Sequence, residues 1–93
     1  MTPTIGRFVH YTLTEQDVSI IIGDRLNGTD EVQRSRHNFV APGQTYPALV
    51  VRNFGGDAVN LQVFLDGTDT YWATSRTEGE PDQQGRWIWP PRV

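Results

Sequence analysis

AVNLQVFLDGTDTYWATSR, residues 58–76, is the stretch that decides the fold. Val59, Leu61, Val63 and Leu65 alternate with Asn60, Gln62 and Phe64, the period of two that gives a strand one buried face. Asp66, Gly67, Thr68 and Asp69 read as the turn that reverses it, Asp-Gly being a strong short-range hairpin signal. Residues 70–76 then return antiparallel. Tyr71 and Trp72 are successive, so they face opposite sides of that strand, and one of them leaves the main core.

Working outward, ALVVRNF at 48–54 reads as the preceding strand, linked to the hairpin by Gly55, Gly56 and Asp57 as a tight turn. Alternation puts Arg52 on one face with Val50 and Phe54, opposite Leu49 and Val51. A turn in PGQTYP leads in, with Pro47 near the first strand position, where a missing N–H is tolerated. IGRFVHYTL at 5–13 is rich in β-branched and aromatic residues and predicts another strand. TEQD follows. Thr14 is placed to accept the amides of a first helical turn, and Asp17 to favour the helix's positive end. Val18, Ile21, Ile22 and Arg25 share one helical stripe, which predicts a short helix over 15–23 that Gly23 stops. Residues 24–38 show neither period and read as a loop. RWIW at 86–89 is a final strand, halted by Pro90.

Five short strands and one helix after the first predict a single mostly-β domain over 1–93. The expected architecture is a small antiparallel barrel, partly open, of SH3-like or OB-like kind. Closure, or dimerisation, would deal with the free edges that an open sheet exposes.

Composition narrows the chemistry. The chain has no cysteine, which removes disulfides, thiolate nucleophiles and thiolate metal sites. All eight basic residues are arginine, against eleven acids, for a net charge of −3. An acidic domain without a basic block is poorly suited to duplex nucleic acid, whose non-specific binding rests on phosphate neutralisation. Arginine suits phosphate and carboxylate, and stacks on rings. No stretch has signal-peptide character or the ~20 apolar residues of a membrane helix, so the expectation is a cytoplasmic protein with no membrane partner.

No nucleophile elbow, glycine-rich phosphate loop or paired-histidine metal motif is present. DGTD at 66–69 lacks the alternating acids and distal glutamate of a calcium loop. The reading is therefore no catalytic residue, no metal and no cofactor. A small hydrolase using His10 is the third-ranked alternative.

What remains is an inventory of rings and arginines, from which two readings follow: the rings fill the barrel, or some of them form a stacking floor with arginine as a charge clamp. Trp87 and Trp89, two apart on the last strand, pose that choice most sharply. A surplus of rings also suits a homo-oligomer interface.

GRFVHYTLTEQD at 6–17, AVNLQVFLDGTDTYWATS at 58–75 and GRWIWPPRV at 85–93 resemble an uncharacterised family of small proteins of bacteria, phages and prophages. The closing W-x-W-P-x-R-V is the most distinctive piece, and the 24–38 region carries none of the likeness. The resemblance supplies a setting, and no active site. In that setting the expectation is a phage-encoded, non-catalytic binding protein acting in the host cytoplasm. It would sequester a small nucleotide-like ligand, of the kind used as an anti-phage defence signal. The candidate ligand-binding residues are His10, Tyr11, Arg52, Tyr71, Trp72, Trp87, Trp89 and Arg92. The alternative is a structural or interaction module of a phage particle with no small ligand.

Overall fold

The structure is a computed structural model that describes residues 1–27 and 36–91. Its elements are β1 (Phe8–Thr12), α1 (Glu15–Leu26), β2 (Thr45–Gly55), β3 (Ala58–Phe64), β4 (Thr70–Arg76) and β5 (Trp87–Ile88). The strands form one antiparallel sheet in the order β4-β3-β2-β1-β5. The barrel is not closed: β4 and β5 are the two edges. Among the described residues, a parallel bridge between Glu78 and Trp87 crosses the gap. There the Gly79 N–H donates to the Trp87 carbonyl (3.0 Å) and the Trp87 N–H to Thr77 (3.3 Å).

One face of the sheet is the core. Val9, Ala48, Val63 and Tyr71 lie across from one another on four successive strands, and Val50, Leu61 and Ala73 form the neighbouring line. Tyr11 and Trp87 are cross-strand partners and both are fully buried. Val18 and Ile21 of α1, with Leu13, Val40 and Leu65, cover this face.

The helix starts where the capping residues put it. Thr14 Oγ1 accepts the Asp17 N–H, and Asp17 Oδ2 accepts the Thr14 N–H, both at 3.0 Å, a reciprocal capping box. It runs further than expected, through Gly23 to an Asn27 cap. An interior glycine costs about 1 kcal/mol, and tertiary bonds at that end offset it. Arg25 grips both carboxylate oxygens of Asp69, at 2.7 and 3.1 Å, and its Nη1 donates to the Asn38 carbonyl. Residues 24–26 are thus helical, and the central part of the expected loop, 28–35, lies outside the described residues.

Two further expectations are corrected. First, β2 begins at Thr45, so Pro47 is its third residue and does not precede the strand. The Val50 N–H points to β1, where it donates to Arg7, so position 47 faces β3. The β2–β3 register ends at Ala48–Val63, so Pro47 interrupts no rung. The expected turn at 66–69 lies within the β3–β4 connection, which spans 65–69. Gly67 is required by close approach: a Cβ there would lie 2.5 Å from the His37 Cβ, with which it forms an isolated bridge. Second, a β-bulge between Val50 and Arg52 separates those two side chains. Val50 is buried, whereas Arg52 lies opposite Asn60, beside the inward Leu61, and is exposed.

Candidate functional site

The inner face holds the polar centre of the molecule. Asp17 is 1% exposed, and four donors reach its carboxylate. Tyr11 Oη donates to Oδ2 (2.5 Å) and Tyr71 Oη to Oδ1 (2.6 Å). Arg76 Nη2 donates to Oδ1 (3.0 Å), and the Thr14 amide to Oδ2. The Arg76 guanidinium also lies 5.5 Å from the centre of the Tyr11 ring.

The electrostatics follow from that geometry. Burial alone would raise the Asp17 pKa, but the two tyrosine hydroxyls, the Thr14 amide and the Arg76 charge outweigh it and hold the carboxyl below its ordinary range. Burial first, and then the hydrogen bond to Asp17 and its negative charge, push Tyr71 up to about 12 and raise Tyr11 as well. With two donors on each oxygen, the Asp17 carboxylate has no lone pair left for a substrate proton. The cluster binds α1 to β1 and β4. It is a structural centre.

This settles where the predicted residues lie. Tyr11, Tyr71 and Trp87 are in the core, their polar groups committed: Trp87 Nε1 donates to the Asp57 carbonyl at 2.9 Å. Trp89 packs edge-on against Trp87, ring centres 5.3 Å apart, and is half-buried. Trp72 is on the opposite face and 60% exposed. His10 is half-buried on that outer face, between Ile88 and Pro47. Arg52 is on the outer face too, its guanidinium 5.1 Å from the Phe54 ring. Arg92 lies outside the described residues. The seven described residues therefore do not converge on one pocket; Trp72, Arg52 and His10 share the outer face.

That face holds rings the candidate set omitted. Phe8, Leu49, Gln62 and Trp72 are opposite one another across β1, β2, β3 and β4. Phe64 lies beside them, its ring centre 6.0 Å from that of Phe8. Phe8 is 54% and Phe64 40% exposed. No strand contains an aspartate or glutamate. Among the described residues the strands thus give this face rings and Arg52 and no acid, although the chain as a whole is negative. Phe64 had a signal: it is the apolar residue on the polar side of an otherwise strict alternation.

A second feature is a groove of about 330 Å³ lined by Ile22, Arg25, Leu26, His37, Phe39 and Val40. None of the seven described ligand candidates lines it. Among the described residues no three of His, Asp and Glu gather in a metal-holding group, and no helix is long and apolar enough to cross a membrane.

Fold and surface together define the class: a small mostly-β domain, one sheet face sealed by a helix and the other open and aromatic. No protein-family model, curated protein or solved structure matches the chain.

Proposed function

We propose that this domain is a non-catalytic binding protein and that its ligand is nucleotide-like, held against the outer face of the sheet. The observation that carries the reading is the exposure of Phe8, Phe64 and Trp72 together on a face whose strands have no acid and include Arg52. Flat rings offer stacking to a base, and a guanidinium offers charge-assisted bonds to phosphate. In the phage setting implied by the resemblance, such a protein acts by sequestering its ligand. Homo-oligomerisation belongs to the same proposal, since two outer faces would enclose a ligand that one leaves half in solvent. Sedimentation with and without ligand measures it.

The test is a thermal-shift panel of nucleotides, cyclic dinucleotides and ADP-ribose derivatives. A ligand at a hundredfold excess over its Kd adds about 2.7 kcal/mol, or roughly 10–20 °C for a domain of this size. Trp72→Ala should keep the unliganded midpoint and lose the shift. A panel with no shift refutes the reading.

A second reading, a structural or interaction module with no small ligand, is favoured by the Phe8–Phe64 pair with Leu49 and Ile88, an apolar surface of the kind that partner proteins cover. It predicts a flat panel and association with other proteins of the particle.

A further inference from the structure

The two edges of the sheet are finished differently. β5 is two residues long, and its outer backbone bonds are taken by the 77–79 segment. β4 carries no such protection. Thr70 to Ser75 include no charge and no proline, the usual devices that keep an edge from pairing. Among the described strands only β3 is hydrogen-bonded to it. The direction of its free bonds follows from the register. Val50 gives its N–H to β1, so its partner Leu61 turns its own backbone groups to β4. Leu61–Ala73 and Val63–Tyr71 are therefore the bonded pairs, and the N–H and carbonyl of Thr70 and Trp72 point away from β3. The Thr74 carbonyl points away too, because the Asn60 side chain holds the next amide, of Ser75, toward β3 at 2.9 Å. Among the described residues no backbone group outside the strand ladders pairs with these.

We infer that β4 pairs antiparallel with β4 of a second copy of this chain, about a two-fold axis at Trp72, joining two five-stranded sheets into one. In that register Trp72 exchanges backbone bonds with its own counterpart, and Thr70 with the partner's Thr74. All three outward residues are used; centring the axis on Tyr71 or Ala73 pairs only two of them. The side chains match themselves as a two-fold contact requires. On the outer face Trp72 meets Trp72 and Thr70 meets Thr74, while on the inner face the large Tyr71 stands beside the small Ala73. Trp72, 60% exposed in one copy, is of the residue type that anchors interface centres. Charge is complementary as well. Asp69 and Arg76 bracket the uncharged run, and antiparallel pairing sets the acid of each copy toward the arginine of the other. Parallel pairing would set like against like. This assembly needs no ligand, so it stands apart from the nucleotide reading, and it sets the two outer faces side by side.

The experiment uses the absence of cysteine from the chain. Bonded antiparallel partners have Cα atoms about 5.5 Å apart, within the span that a disulfide bridges. Full-length Thr70→Cys and Thr74→Cys proteins are oxidised separately and as an equimolar mixture, then resolved on non-reducing gels. Sedimentation velocity follows the wild type across the micromolar range. The expected result is a concentration-dependent dimer, with covalent dimer from the mixture and little from either variant alone, whose equivalent cysteines lie about 14 Å apart along the strand. Thr70→Pro removes one outward N–H from each copy at the first strand position, where proline is tolerated. It should weaken dimerisation about five- to a hundredfold and keep the circular dichroism spectrum. If that variant does not fold, Thr74→Lys puts a charge on the same edge and should weaken dimerisation in its place. A wild type that stays monomeric overturns the inference. So does dimerisation unchanged in the folded edge variant, or cross-linking as strong in the separate variants as in the mixture. A dimer that cross-links in none of the three samples overturns it too, and points to packing of the outer faces instead.

Discussion

Replacing Asp17 by asparagine tests the account of what joins the helix to the sheet. The substitution keeps the volume and removes one acceptor oxygen and the charge. Tyr11 and Tyr71 then compete for a single carbonyl, and Arg76 faces either that oxygen or an amide N–H. A buried donor left unsatisfied costs about 1–3 kcal/mol, and breaking a buried ion pair from one side about 3–5. The hydroxyls can also accept, and Arg76 is about a quarter exposed and can turn to water, so roughly 3 kcal/mol is expected. Against the ~5–15 kcal/mol that holds a domain together, that is a large fraction. Urea unfolding followed by circular dichroism should show the midpoint falling by on the order of 2 M with the slope unchanged. Below the midpoint of the wild type, Tyr71→Phe should cost about 1–2 kcal/mol and add little in the Asp17→Asn background, because its partner is already impaired. A loss under 1 kcal/mol for Asp17→Asn, or full additivity of the pair, would refute the role given to the cluster.

The same contacts set the pH dependence. Asp17 and Asp69 have folded pKa values below their unfolded ones. Their contribution is present above about pH 4 and is lost as pH falls through the folded values, because there the unfolded chain binds more protons. Asp17→Asn should flatten the acid limb of a stability–pH curve measured by urea midpoints. Tyr71 has the opposite sign: raised from 10.0 to about 12, it contributes below pH 10 and is lost between pH 10 and 12, so Tyr71→Phe should unfold less steeply at alkaline pH, read by tyrosinate absorbance. Trp87→Ala should cost ~3–5 kcal/mol, since Trp87 is fully buried and closes the edge at β5. Trp72→Ala should stay within about 0.5 kcal/mol, and equal losses for the two in thermal unfolding would overturn the assignment of inner and outer faces. Gly67→Ala should cost about 1–3 kcal/mol through the clash with His37, whereas Gly56→Ala meets no neighbour within 4 Å and is penalised only by its φ of 59°.

Much of the fold was legible because local rules carried it. The alternation from Val59 to Leu65 fixes β3 and its inward face, and the buried line in the structure is that one. The opposed directions of Tyr71 and Trp72 follow from strand geometry, and their exposures differ as expected, 7% and 60%. Thr14 and Asp17 announce the helix start within four residues of sequence. Gly55 and Gly56 adopt the positive φ that the β2–β3 turn needs.

What the sequence could not decide depends on contacts between distant residues. The helix end is not legible in the sequence because Arg25 finds Asp69, 44 positions away, and that pairing carries α1 past Gly23. Alternation puts Arg52 with Val50 because it assumes an unbroken ladder, and a bulge is set by the register of two strands together. Asp17 was legible as a capping residue and not as the centre of a network, since Tyr71 and Arg76 reach it from β4. The rings gave the same lesson. Composition shows ten aromatic residues, enough to build a small core. Whether a given ring fills that core or faces solvent depends on which side of the curled sheet the helix covers, and only the tertiary structure fixes that. Covering the inner face buried Tyr11, Tyr71 and Trp87 and left Phe8, Phe64 and Trp72 in the open.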